Sequence, residues 1–208
     1  MIYNINGNVL ESPFSFLLSI FLCLGVFTLG NFIQYVIIRK KFFSECREIN
    51  YFFSPIIGTY FLIIFLYFFV IFEIYSKFIF SFAAYLLLFL SLIRFNEISK
   101  IFNSFKTQLI KKNKLSLYIL VIIYLILFLI ASSPITHADA IDYHFSGALN
   151  ILNLGHFQKE ILPMNNNLTS LGDLIMSLGL AIKAEQFSNL IQFLSLFALI
   201  PFFIKDKK

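Results

Sequence analysis

Residues 168–184 read LTSLGDLIMSLGLAIKA, and whether this run crosses a membrane decides the architecture of the whole chain. It is apolar enough to pass for a span. However, it carries Asp173 and two glycines, Gly172 and Gly179, and stands at the lower limit of length for crossing ~30 Å of hydrocarbon. Its C-terminal neighbour settles the reading: an apolar run at 187–204 is followed by Lys205, Lys207 and Lys208. If 168–184 crossed, those lysines would lie outside, against the tendency of basic residues to stay cytoplasmic. If it lies at the interface or re-enters, they fall inside. The interfacial or re-entrant reading is adopted.

Outward from that segment, the chain is written for lipid. It is 59% hydrophobic and 13% charged, with 29 Phe and no Trp; a soluble domain has about 45–50% apolar and about 25% charged residues. The net charge of +5 comes from short basic clusters beside apolar runs, which are topology signals and not a nucleic-acid surface, so no nucleic-acid partner is expected. Apolar runs at 14–38, 52–72, 78–93, 115–131 and 187–204 predict an all-α, polytopic helical membrane protein of about five transmembrane helices. The organisation follows: 1–131 holds helices one to four, 132–186 is a long outside loop with amphipathic interfacial helices, and 187–208 is the final helix with a basic tail.

Charge sets the orientation. Arg39, Lys40, Lys41 and Arg47 mark one cytoplasmic loop, and Arg94, Lys100, Lys106, Lys111, Lys112 and Lys114 mark another. The N-terminus, the 73–77 turn and the long loop then face outward. No Lys or Arg precedes Arg39, and the first apolar run is of spanning length, so it is read as a retained helix and not a cleaved signal. Cys23 lies inside an apolar run and Cys46 in a basic loop, so no disulfide is expected between them. Glu73, Lys77 and Arg94 sit at helix ends, and the spans otherwise hold almost no ionisable side chain, which argues against an ion-coupled carrier.

The chemistry is expected in the loop that opens with residues 132–157, SSPITHADAIDYHFSGALNILNLGHF. Pro134 marks the exit from the membrane. Asp139 is placed to cap a helix over 140–154 that stops at Gly155, with Asp142 adding negative charge to its first turn. At about 100° per residue, Asp139, Asp142, Tyr143, Ser146, Asn150 and Asn153 share a polar face, opposite Ile141, Phe145, Ala148, Leu149 and Leu152. One reading is an amphipathic helix lying flat on the membrane with its polar face solvated or turned to protein. The other is that Asp139 and Asp142 project into a cavity, where one carboxylate acts as a general base or both hold a divalent cation. His137, His144 and His156, all the histidines of the chain, fall in this stretch. Their spacing with Asp139 and Asp142 matches no established zinc signature, and no metal ligand is assigned. Asn167-Leu168-Thr169 fits a glycosylation sequon and is given no role.

A span ending in a small residue and Pro, then Asp139-Ala140-Ile141-Asp142-Tyr143-His144-Phe145, a helix closing at Leu154-Gly155, an apolar helix, and Ala184-Glu185-Gln186-Phe187 opening the next span together resemble the GT-C superfamily of polytopic glycosyltransferases. The similarity covers about 130–204. It is nearest to bacterial membrane proteins with an Asp-Ala/Ser-Leu-x-Tyr-His run, and more distant to aminoarabinose transferases and protein O-mannosyltransferases. The resemblance implies a lipid-linked, polyprenyl-phosphate sugar donor. Asp139 would be the loop acid that takes a proton from the acceptor hydroxyl or otherwise steadies the reacting centre. Asp142 would be a second acid of the site, with Tyr143, His144, Ser146 and Asn150 addressing substrate.

It further implies cell-surface glycan assembly in a multi-pass bacterial inner membrane, with the loop outside. Many relatives carry a second acid directly after the first, where this chain has Ala140, and they continue through further spans. The three spans before the motif are extra relative to shorter relatives. A partial glycosyltransferase, completed by a second polypeptide supplying further helices, is therefore expected. The alternative, from a different class, is a non-catalytic membrane subunit or glycan-export component whose polar helix is a docking surface.

Overall fold

The computed structural model describes residues 12–37, 47–72, 77–93, 114–133, 144–154 and 171–199. They form seven helices: α1 (Ser12–Ile37), α2 (Arg47–Ile71), α3 (Lys77–Ile93), α4 (Lys114–Ser132), α5 (Ser146–Leu154), α6 (Leu171–Ala181) and α7 (Phe187–Ser195), the last running into a 3-10 turn at Leu196–Leu199. No strand occurs among the described residues. Two stretches, Pro13–Val36 and Phe52–Ile71, are long and apolar enough to cross a membrane; α3 and the Tyr118–Ser132 part of α4 are apolar but shorter.

Small residues bring the first three helices together. A side chain at Gly30 of α1 would collide with the Ser54 carbonyl of α2, one at Gly58 with the Val26 carbonyl, and one at Gly25 with the Leu87 carbonyl of α3. Backbone-to-backbone approach of this kind is how helices associate in lipid, where apolar burial alone gives no drive to pair. Along the same face of α1, Ser15, Ser19, Leu22, Cys23, Val26 and Gly30 recur at helical spacing and are buried. Two hydroxyls of α1 are satisfied within the helix, Ser19 donating to the Ser15 carbonyl and Thr28 to that of Gly25. Outward faces are the reverse: Phe78 and Tyr35 are about three-quarters exposed, and α2, α3 and α4 present further rows of Phe, Tyr, Leu and Ile. An apolar surface that extensive exceeds what a water-soluble chain exposes.

The short helices fill the middle. Helix α7 packs on α1, α2, α4 and α6, and α6 packs on α2, α3, α5 and α7. Eleven residues give α6 a length of about 16 Å, half of a hydrocarbon core. Asp173 to Leu180 are all buried by protein.

The turn after α6 is closed by backbone hydrogen bonds from Ala184 to Gly179 (2.8 Å) and from Lys183 to Leu180 (3.0 Å), with Lys183 at φ 64°. This is a Schellman cap with lysine where glycine is usual. A Cβ on Gly179 would stand 3.0 Å from that of Phe187. Eight residues of straight helix would separate the two by ~12 Å, so the chain folds back between α6 and α7.

The amphipathic helix expected over 140–154 is described from His144, which with Phe145 forms a wider helical turn ahead of α5; 140–143 lie outside the described residues. Its apolar face, Phe145, Ala148, Leu149 and Leu152, is buried. That face is covered by α6 and α3. A neighbouring helix of matching shape offers those side chains close contacts that fluid chains do not.

Candidate functional site

Helices α5 and α6 lie side by side and parallel. His144 meets Asp173, and one turn later Ala148 meets Ser177, so the offset of 29 residues is constant. Gly147 faces the same carboxylate, a Cβ there standing in ordinary contact at 3.4 Å from Oδ2 of Asp173. The Ser177 hydroxyl reaches both the Asp173 carbonyl (2.6 Å) and the Ala148 carbonyl (3.0 Å), tying the two helices in register.

Asp173 is therefore enclosed. It sits in the first turn of α6, where the helix dipole favours a negative charge, and is 2% exposed. Its Oδ1 lies 3.1 Å from Nδ1 of His144, whose side chain is 51% exposed. The pair thus has a buried carboxylate and a ring that emerges from the protein. With Asp173 ionised the carboxylate can only accept, which puts the proton of this bond on Nδ1 and leaves the other ring nitrogen as an acceptor. Among the described residues, Nε2 of His144 has no hydrogen-bond partner.

Of the site residues expected from sequence, Asp139, Asp142 and Tyr143 lie outside the described residues. Ser146 and Asn150 lie one turn apart on the same side of α5, whereas His144, in the turn ahead of it, meets Asp173 of α6. Ser146 and Asn150 are half-buried, and each makes interactions of its own. No three His, Cys, Asp or Glu side chains converge among the described residues. A divalent cation there would find His144 and Asp173 as its described donors, fewer than such ions take.

Sequence reasoning used Asp173 only as a topology marker and did not pair it with His144. The signal was present: an acid within an apolar helix is expensive to keep unless it has work to do.

A second buried polar centre joins α1 to the α6–α7 turn through Ser15, Gln186 and the backbone N–H of Glu185. Close by in sequence, the Ser188 hydroxyl is buried without a partner.

A family profile described as the DUF1420 N-terminal domain matches residues 91–205, more than half of the chain and all of the segment from α4 through α7. No curated protein and no solved structure matches.

Proposed function

This chain belongs to the DUF1420 N-terminal domain family, and we propose that it is a multi-pass membrane protein that transfers a sugar from a polyprenyl-phosphate donor during cell-surface glycan assembly. The site is the run 139–150 together with Asp173, on the outer face of a bacterial inner membrane. The observation that carries this reading is the His144–Asp173 pair: a half-exposed imidazole held by a buried carboxylate, within the segment that resembles the GT-C loop.

Three further features support it. The exposed aromatic and aliphatic rows of α1 to α4 suit a lipid environment for five spans, formed by α1 to α4 and the run that begins with α7. Basic residues cluster in the loops assigned to the cytoplasm and are sparse in 132–183. A lipid-linked donor keeps its tail in the bilayer and presents phosphate and sugar at the surface, where side chains at the start of α5 can address them. In this reading Asp139 is the loop acid, Asp142 a second acid, and Tyr143, Ser146 and Asn150 line the substrate.

The test is transfer of labelled sugar from a polyprenyl-phosphate donor in membranes with and without the protein. Transfer that depends on the protein, and falls roughly 10²-fold or more in Asp139→Asn at matched protein level, is expected. Equal transfer with and without the protein would leave it a non-catalytic subunit. Comparable losses in Asp139→Asn and Asp142→Asn, with inhibition by chelators, would place a cation between the two carboxylates.

A further inference from the structure

The geometry points to His144 as the group that takes the proton from the acceptor hydroxyl, with Asp173 as its positioning residue; this rests on the sugar-transfer reading above. The starting point is how unusual Asp173 is. It is an acid enclosed on α6, whose residues from Asp173 to Leu180 are all buried. Ser or Asn would serve the start of a helix equally well without a charge to desolvate. What a carboxylate adds is direction. It accepts only, so it fixes the Nδ1–H form of the ring it holds and leaves the Nε2 lone pair free for a proton. The Ser177 hydroxyl bonded to the Ala148 carbonyl ties α5 to α6 and holds the carboxylate beside the ring. The ring itself is half-exposed and so accessible to a hydroxyl from outside, where a wholly structural partner for Asp173 would be enclosed with it.

The acceptor O–H proton moves to Nε2 of His144 while the oxygen lone pair forms the bond to the anomeric carbon of the sugar. The bond from that carbon to the phosphate oxygen breaks, and its electron pair leaves with the polyprenyl phosphate. His144 becomes an imidazolium held by the Asp173 carboxylate, and its proton passes to water after product leaves. Asp139 then takes the second of its two roles, steadying the reacting centre.

Two measurements test this. Nitrogen-15 NMR of histidine-labelled protein in nanodiscs, with the His144 signal assigned by His144→Gln, should show the neutral ring protonated on Nδ1. Asp173→Asn should lose that preference, since an amide can donate as well as accept. A wild-type ring protonated on Nε2 overturns the proposal whatever the activity.

In the transfer assay, His144→Gln and Asp173→Asn should each lower kcat about 10²-fold or more with KM little changed. The double variant should be no worse than the more severe single, because the two act as one unit. Gln at 144 keeps an N–H donor for the Asp173 carboxylate, and comparison at matched protein level separates loss of folding from loss of transfer. Wild-type transfer with near-normal His144→Gln, or losses that multiply in the double variant, overturns the proposal and leaves sugar transfer standing. Absence of wild-type transfer overturns both.

Discussion

Ser15, near the start of α1, donates a 2.6 Å hydrogen bond to Oε1 of Gln186, 171 residues away, and both side chains are sealed from solvent. The Ser15 Oγ in turn accepts the backbone N–H of Glu185 at 3.0 Å. One hydroxyl therefore ties the first helix to the turn that reverses the chain between α6 and α7, donating to one group and accepting from another.

Ser15→Ala should leave the Gln186 amide oxygen and the Glu185 N–H unpaired in that interior. A buried group left without its partner costs about 1–3 kcal/mol. Thermal unfolding in detergent is expected to shift down accordingly, while Ser15→Thr, which keeps the hydroxyl, should lie nearer wild type. An unchanged midpoint for Ser15→Ala would mean that the bond is not maintained.

Glycine substitutions should separate by place. At Gly30 an added methyl meets the Ser54 carbonyl, which is backbone and cannot yield without moving α1 from α2, so Gly30→Ala is expected to cost about 3 kcal/mol or more and to deplete folded protein. At Gly147 the nearest atom to an added Cβ is a side-chain oxygen at 3.4 Å, and Gly147→Ala should be tolerated in folding. Size-exclusion profiles of the two variants compare them directly; equal behaviour contradicts the close crossing of α1 and α2.

Lys183 holds φ 64° in the Schellman cap of α6, a conformation disfavoured by roughly 1–2 kcal/mol for residues with a Cβ. Lys183→Gly should raise the unfolding midpoint, and Lys183→Val should lower it, because branching at Cβ worsens the same clash. If both variants destabilise alike, the lysine contributes through its charge and not through the backbone.

Single cysteines at Asn8 and Lys208, introduced after replacing Cys23 and Cys46 by alanine, test the topology. With five spans and cytoplasmic basic loops, Asn8→Cys should label from outside and Lys208→Cys only after the membrane is opened. Labelling of both from one side would mean an even number of crossings and would bring 168–184 across the bilayer.

Composition and charge spacing by themselves determined the helical class, the position of the long apolar runs and the polar and apolar faces of 144–154, because these follow from periodicity and solvent preference along a single element. The same face pattern placed Ser146 and Asn150 together, but it left His144 off that face. What covers those faces was decided only by the tertiary structure. The apolar face of α5 fits lipid or protein equally well as a pattern, and the shape of α6 selected protein. The partner of Asp173 was likewise illegible. Residues 29 apart on two helices meet only if the helices run parallel in one register, which the bond from Ser177 to the Ala148 carbonyl marks and which has no counterpart in local sequence. Helix periodicity is local and leaves its mark in each segment, whereas the pairing of His144 with Asp173 and of Ser15 with Gln186 depends on how separate segments pack, which no single segment encodes.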